Sequence, residues 1–205
     1  MLKVMFYLGA AFLLGGIPFG YLIARSTGKD ITCEGSGNIG ATNVARVLGP
    51  LPGALVFCLD AGKGMLAVVL ANFILPELRQ ESFWIYLQLG GALAAVFGHS
   101  FSPFLKLRGG KGVATAFGSL LLIFPGSMLA GFLAFLLVFL LTRVVSIASL
   151  MGTAVAAFSI FVSDYVYPVK FLIFAAAALI YFRHRSNIDR IFSGTENIFK
   201  FGRKK

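Results

Sequence analysis

Acidic side chains are scarce in this sequence. Eight Asp and Glu stand against eighteen Lys and Arg in 205 residues, and charged residues of both signs make up only 13%. Hydrophobic residues reach 58%, and the mean hydropathy is +0.88. A soluble domain of this size has too little polar surface to cover that much apolar area. Cysteine is nearly absent too. Cys33 and Cys58 form no CxxC and no Cys/His cluster, which argues against zinc, iron–sulfur and disulfide frameworks. No Pro-rich, Ser-rich or charged linker interrupts the sequence, and no internal repeat is visible. A single domain over residues 1–205 is expected. One Lys precedes the first apolar run without a convincing small-residue cleavage site, so a retained first span is expected rather than a cleaved signal peptide.

Long apolar runs are what the sequence has. They are Val4–Ala24, Leu51–Leu75, Phe83–Gly98, Val113–Phe124, Gly126–Thr142, Val144–Ser163 and Tyr165–Phe182. Segments of about 17–25 apolar residues read as spanning helices, because lipid offers no partner to an open backbone. Val113–Thr142 is long for one span and short for two, and Pro125-Gly126 within it is a turn signal. Charge decides the count. With seven spans, one side collects Arg25, Lys29, Arg46, Lys106, Arg108, Lys111, Arg143, Arg183, Arg185, Arg190, Lys200, Arg203, Lys204 and Lys205, and the other only Lys3, Arg79 and Lys170. Positive charge marks the cytoplasmic side. The expected fold is therefore all-α and polytopic, with seven transmembrane helices, the N-terminus outside and the C-terminus cytoplasmic. The net charge of +10 reads as topology and attraction to anionic headgroups, with no nucleic-acid partner implied.

The same parity gathers three polar segments at one membrane face. In EGSGNIGATNVARVLGP, Gly35-x-Gly37-x-x-Gly40 mimics a dinucleotide fingerprint, but no strand precedes it, and NAD binding is discounted. The spacing instead predicts a glycine loop running into a short helix, Ala41–Leu48, stopped by Gly49-Pro50. Thr42, Asn43 and Arg46 would share a face of it. With Ser36 and Asn38 they offer donors for phosphate, Arg46 by a two-pronged grip; the alternative is an ordinary solvated loop. In HSFSPFLKLRGGKGVAT, Gly109, Gly110, Lys111 and Gly112 precede a helix start, where exposed amides attract anions. The Walker pattern is absent, so phosphate binding without a nucleotide fold is expected. His99 is read either as an interfacial helix cap or as catalytic.

In FRHRSNIDRIFSGTEN, His184 can act as a base or phosphate donor, and Asn187 and Glu196 stand out beside it. The spacing of His184 to Asp189 is treated as coincidence, and Glu196 is read as structural. Asp60 and Lys63 lie three apart inside the second apolar run and are expected to pair, since lone membrane charges are costly. Ser146 starts a helix on the cytoplasmic side, as a cap or as part of an anion site.

Together, SGNIGATNVARVLG, GHSFSPFLKLRGGKGVAT and RHRSNIDRIFSGTE resemble the three motifs of the bacterial acyl-phosphate:glycerol-3-phosphate acyltransferases, the integral-membrane PlsY type. The resemblance covers nearly the whole chain. Ile39 stands where Pro is common in that family, and Arg108 where Lys is common. The resemblance implies transfer of a fatty acyl group from acyl-phosphate to the 1-position of glycerol-3-phosphate, giving lysophosphatidate, with no cofactor, no metal and no obligate protein partner. By resemblance, Ser36, His184 and Asn187 are catalytic and Arg46 is essential. Gly109 to Gly112 form the glycerol-3-phosphate loop, and Glu196 is an anchor. The implied setting is the bacterial inner membrane, with the site at its cytoplasmic face. A transporter for phosphate esters is the rival reading, against which stands the gathering of polar groups at one face rather than the midplane.

Overall fold

A computed structural model of the chain describes residues 1–199. The tail cations Lys200, Arg203, Lys204 and Lys205 of the charge count lie outside the described residues. The architecture is all-helical, with no strand among the described residues. The chain forms two compact units, Met1–Ile123 and the segment from Phe124 onward.

The first unit carries α1 (Leu2–Gly16), α2 (Phe19–Ser26), α3 (Ala41–Leu48), α4 (Pro50–Val69), α5 (Ala71–Ile74), α6 (Trp84–Ser100) and α7 (Val113–Leu121). α1 packs on α6, and α4 packs on α3, α6 and α7. Small residues let the backbones approach closely. A Cβ on Gly64 would strike the Thr115 carbonyl, and one on Gly118 the Ala61 carbonyl, locking α4 to α7. The second unit carries α8 (Pro125–Thr142), α9 (Val145–Phe161), α10 (Tyr167–Arg183) and α11 (Arg185–Phe192). Gly131 and Gly152 make the equivalent close contact between α8 and α9.

Several expectations hold at residue level. α3 has the predicted bounds, ends at Gly49 with φ 105°, and hands over to Pro50 as the first residue of α4. The Pro125 break is real: α7 ends at Leu121 and α8 starts at Pro125, so a kinked single helix is excluded.

Two differences matter. The first apolar run is not one helix, because Pro18 has no N–H and its ring crowds the turn before it. α1 stops with Ile17 at φ −57° and ψ 119°, and α2 restarts at Phe19. The freed carbonyls find buried partners: Ser102 Oγ donates to Gly16 O at 2.6 Å, and Lys63 Nζ donates to Ile17 O at 2.7 Å. The second difference is length. Leu2–Ser26, Pro50–Ile74 and Pro125–Thr142 are long and apolar enough to cross a bilayer, and Val145–Phe161 is a shorter apolar helix. α7 has nine residues, a rise of about 14 Å, roughly half of a hydrocarbon core of about 30 Å.

Candidate active site

In the first unit, the residues between α2 and α3 fold over the N-terminal turn of α3. Asn43 organises them. It is 2% exposed, and its amide Nδ2 donates to Ile31 O, Glu34 O and Asn38 O at 3.3, 2.9 and 2.9 Å. Its Oδ1 accepts the Ser36 N–H at 2.8 Å and Arg46 Nη1 at 3.4 Å. Sequence reading offered Asn43 to phosphate; the structure commits its amide to the loop. Asn38 Oδ1 is engaged locally as well, accepting the Gly40 N–H at 2.9 Å. Gly35 turns at φ +61°, and a Cβ there would strike Asn43 Oδ1. Thr32 donates to Asp30 from its side chain and then its backbone, which holds the Asp30 carboxyl below its ordinary value. Ser36 and Arg46 are exposed and Thr42 is half-buried, so those three face outward from a loop that Asn43 holds together.

The glycine loop belongs to the same unit. Lys106 and Leu107 both take positive φ, 51° and 63°. That costs bulky residues on the order of 1–3 kcal/mol each, offset in part by Leu107 N–H donating to Ser102 O at 2.8 Å. Of the loop glycines only Gly112 needs positive φ, at 83°. Gly109 and Gly110 are required by space instead. A Cβ on Gly109 would strike the His99 carbonyl, and one on Gly110 would strike His99 Nε2. The Gly110 N–H donates to His99 O at 3.0 Å. Lys106 and Arg108 are exposed and Lys111 is half-buried, at the threshold of α7.

His99 is not an interfacial cap. It is 4% exposed, and its Nδ1 lies 3.6 Å from Asp60 Oδ1. The same oxygen is 2.7 Å from Lys63 Nζ. The expected Asp60–Lys63 pair is therefore present, with His99 as a third member that sequence spacing did not reveal. Close by, Ser100 Oγ and Thr115 Oγ1 are buried without a hydrogen-bond partner among the described residues.

In the second unit, His184 sits at the junction of α10 and α11, 2% exposed. Its Nδ1 is 2.8 Å from Ile180 O. A carbonyl only accepts, so Nδ1 is the donor in this contact. Asp189 is exposed and is not the partner of Nδ1, in line with treating the His–Asp spacing as chance. Asn187 is 4% exposed and donates from Nδ2 to Glu196 Oε1 at 2.8 Å. Arg190 Nε donates to Glu196 Oε2, also at 2.8 Å. One carboxylate thus ties α11 to the chain that follows it. Ser146, on the first turn of α9, has its Oγ buried, and neither that atom nor Asn187 Oδ1 has a hydrogen-bond partner among the described residues. Buried polar atoms are seldom left so. α11 itself went unpredicted, because its charged sequence reads as a basic cuff.

No group of three or more His, Cys, Asp or Glu able to hold a metal occurs among the described residues. Residues 5–194 match the family model described as glycerol-3-phosphate acyltransferase. A relative of that name from Aquifex aeolicus is 42% identical over 198 residues, covering 97% of this chain and all of its own. Among solved structures, the chain resembles PlsY, an integral membrane glycerol 3-phosphate acyltransferase, in its glycerol 3-phosphate form. The TM-score is 0.88 at 41% identity, covering 96% of each chain. The lysophosphatidic acid form of PlsY matches with a TM-score of 0.85 at 41% identity, covering 96% of this chain and 95% of the other.

Proposed function

The chain belongs to the glycerol-3-phosphate acyltransferase family, and from that premise we propose that it transfers a fatty acyl group from acyl-phosphate to the 1-hydroxyl of glycerol-3-phosphate. The products are lysophosphatidate and inorganic phosphate. The observation that carries this reading is the glycine loop. Gly109 and Gly110 have no room for a Cβ, and they lead with Lys111 into the start of a helix in an otherwise apolar chain. Such a start attracts a dianion.

Acyl-phosphate is a mixed anhydride, so no covalent enzyme intermediate is needed. The hydroxyl oxygen bonds to the acyl carbon, the carbon–oxygen bond to phosphate breaks, and phosphate leaves with the electron pair. The hydroxyl proton goes to His184 Nε2 or to the donor phosphate; the hydrogen bond from Nδ1 to Ile180 O favours His184 as the base. Positioning of the two reactants supplies much of the acceleration, and cations stabilise the departing phosphate. Arg46 and Lys111 are assigned to substrate phosphates, with Ser36 and Thr42 beside Arg46. Asn43 and Asn38 hold the loop that presents them. Ser146 and Asn187 are assigned to substrate for their unpaired buried oxygens, and Glu196 anchors Asn187.

The enzyme is an integral membrane protein. The proposed topology has seven membrane-embedded segments, N-terminus outside and C-terminus cytoplasmic, in the bacterial inner membrane, with the site at the cytoplasmic face. α7 fits this scheme only with the glycine loop ahead of it. The nine residues of α7 cover only about half of a hydrocarbon core of about 30 Å, so the loop ahead of it must also lie at membrane depth. Irregular backbone at that depth must be buried in protein, and Gly110 and Gly112 are buried.

Purified protein, a long-chain acyl-phosphate and labelled glycerol-3-phosphate should yield labelled lysophosphatidate. Product acylated at the 2-position would overturn the regiochemistry. Uptake of glycerol-3-phosphate into proteoliposomes without acylation would establish the transporter instead.

A further inference from the structure

Resting on the reading of the glycine loop as a phosphate holder, we infer that His99 is a positioning residue for that loop, mounted on a buried Asp60–Lys63 pair. Both loop glycines are moulded on this one residue. Gly109 lies against the His99 carbonyl, and Gly110 lies against the ring at Nε2. The Gly110 N–H also donates to His99 O at 3.0 Å. A rotation of the imidazole would therefore move Gly110, and a shift of the His99 backbone would move both.

The opposite edge of the ring faces a buried carboxylate across a distance too long for a hydrogen bond. Nδ1 faces Asp60 Oδ1 at 3.6 Å, and that oxygen is fixed by Lys63 Nζ at 2.7 Å. Lys63 is fixed in turn by the Ile17 carbonyl at 2.7 Å, which is open because Pro18 ends α1. One line of polar contacts thus runs from the broken first helix, through α4 and α6, to the two glycines. The Asp60 and Lys63 side chains are 3% and 2% exposed, so neither is placed to meet a water-borne substrate. An apolar pair would stabilise such a position as well or better. What it would not give is a charge facing Nδ1 of the imidazole. His99 is not the base, because its Nε2 is covered by Gly110.

Steady-state kinetics of the purified full chain, varying each substrate separately, test this. His99→Ala should raise KM for glycerol-3-phosphate by about ten- to a hundredfold. KM for acyl-phosphate should stay within about twofold, since the phosphate-holding residues around Asn43 are organised independently of His99. His99→Gln, which can still reach Gly110, should recover part of the loss. In Gly110→Ala the new methyl meets the ring, and adding His99→Ala should lower the KM of that variant rather than raise it. Hydrogen–deuterium exchange reads the loop without substrate: amides of residues 109–112 should exchange faster in His99→Ala, and those of residues 31–40 should not. Equal changes in both KM values, or unchanged exchange at 109–112, overturn the inference. Failure of the wild-type protein to acylate glycerol-3-phosphate would fall on the functional reading alone, since exchange still decides the role of His99. Should His99→Ala fail to fold, His99→Gln and Gly110→Ala carry the same comparisons.

Discussion

Replacing Lys63 by Met takes the ammonium from between the Asp60 carboxylate and the Ile17 carbonyl, both 2.7 Å from it. Removing one partner of a buried pair costs about 3–5 kcal/mol. Leaving a buried carbonyl without a donor adds about 1–3 kcal/mol. For a chain of this size each kcal/mol moves the unfolding midpoint by about 2–4 °C, so Lys63→Met should lower it by at least about 8 °C. Adding Asp60→Asn removes the orphaned charge and leaves chiefly the carbonyl, a residual loss of about 1–3 kcal/mol. The double variant is therefore expected to melt several degrees above Lys63→Met. Thermal unfolding in one detergent at one fixed scan rate measures this, because such midpoints depend on scan rate. A double variant that loses as much as the two single variants summed would show that the charges are not coupled, and would refute the pairing.

Three further outcomes follow from the site geometry. Gly109→Ala should reduce activity by about a hundredfold or more and resist rescue at His99, because its methyl meets backbone rather than ring; initial rates on folded protein check it. Asn43→Asp converts the Nδ2 donor to three carbonyls into an acceptor facing them, costing about 2–4 kcal/mol of local order; limited proteolysis should cut residues 27–40 faster. Arg46→Ala and Lys111→Ala should each lower kcat/KM by about tenfold or more, as expected for a lost charge-assisted contact worth about 1.5–3 kcal/mol, with unfolding midpoints near wild type; wild-type kinetics in both would remove them from the site.

Punctuation by Gly and Pro was the most legible layer of the sequence. Gly49-Pro50 and Pro125 set helix ends because missing donors and left-handed backbone act locally. Pro18 is the same signal, and it was masked by an apolar run that continues through it. The motif glycines have a second reason that the sequence did not offer. Anion approach explains a glycine in general, whereas Gly109 and Gly110 are fixed by His99, a contact visible only in three dimensions. Asn43 shows the limit of residue-type reasoning. Its amide suits phosphate and backbone equally, and only the fold of the preceding loop decides between them. Lys63 was legible as the partner of Asp60 at helical spacing, but not as the donor to a carbonyl that exists because a distant helix breaks.

The central claim is the direct transfer of an acyl group from phosphate to glycerol-3-phosphate. Phosphorus NMR of a single reaction with purified protein, acyl-phosphate and glycerol-3-phosphate tests it, because every reactant and product carries one phosphorus. The account predicts equal molar loss of both substrates and equal gain of inorganic phosphate and 1-acyl-lysophosphatidate, with no turnover when acyl-coenzyme A replaces acyl-phosphate. Lysophosphatidate formed from acyl-coenzyme A, or acyl-phosphate lost as phosphate and free acid without it, would contradict the account.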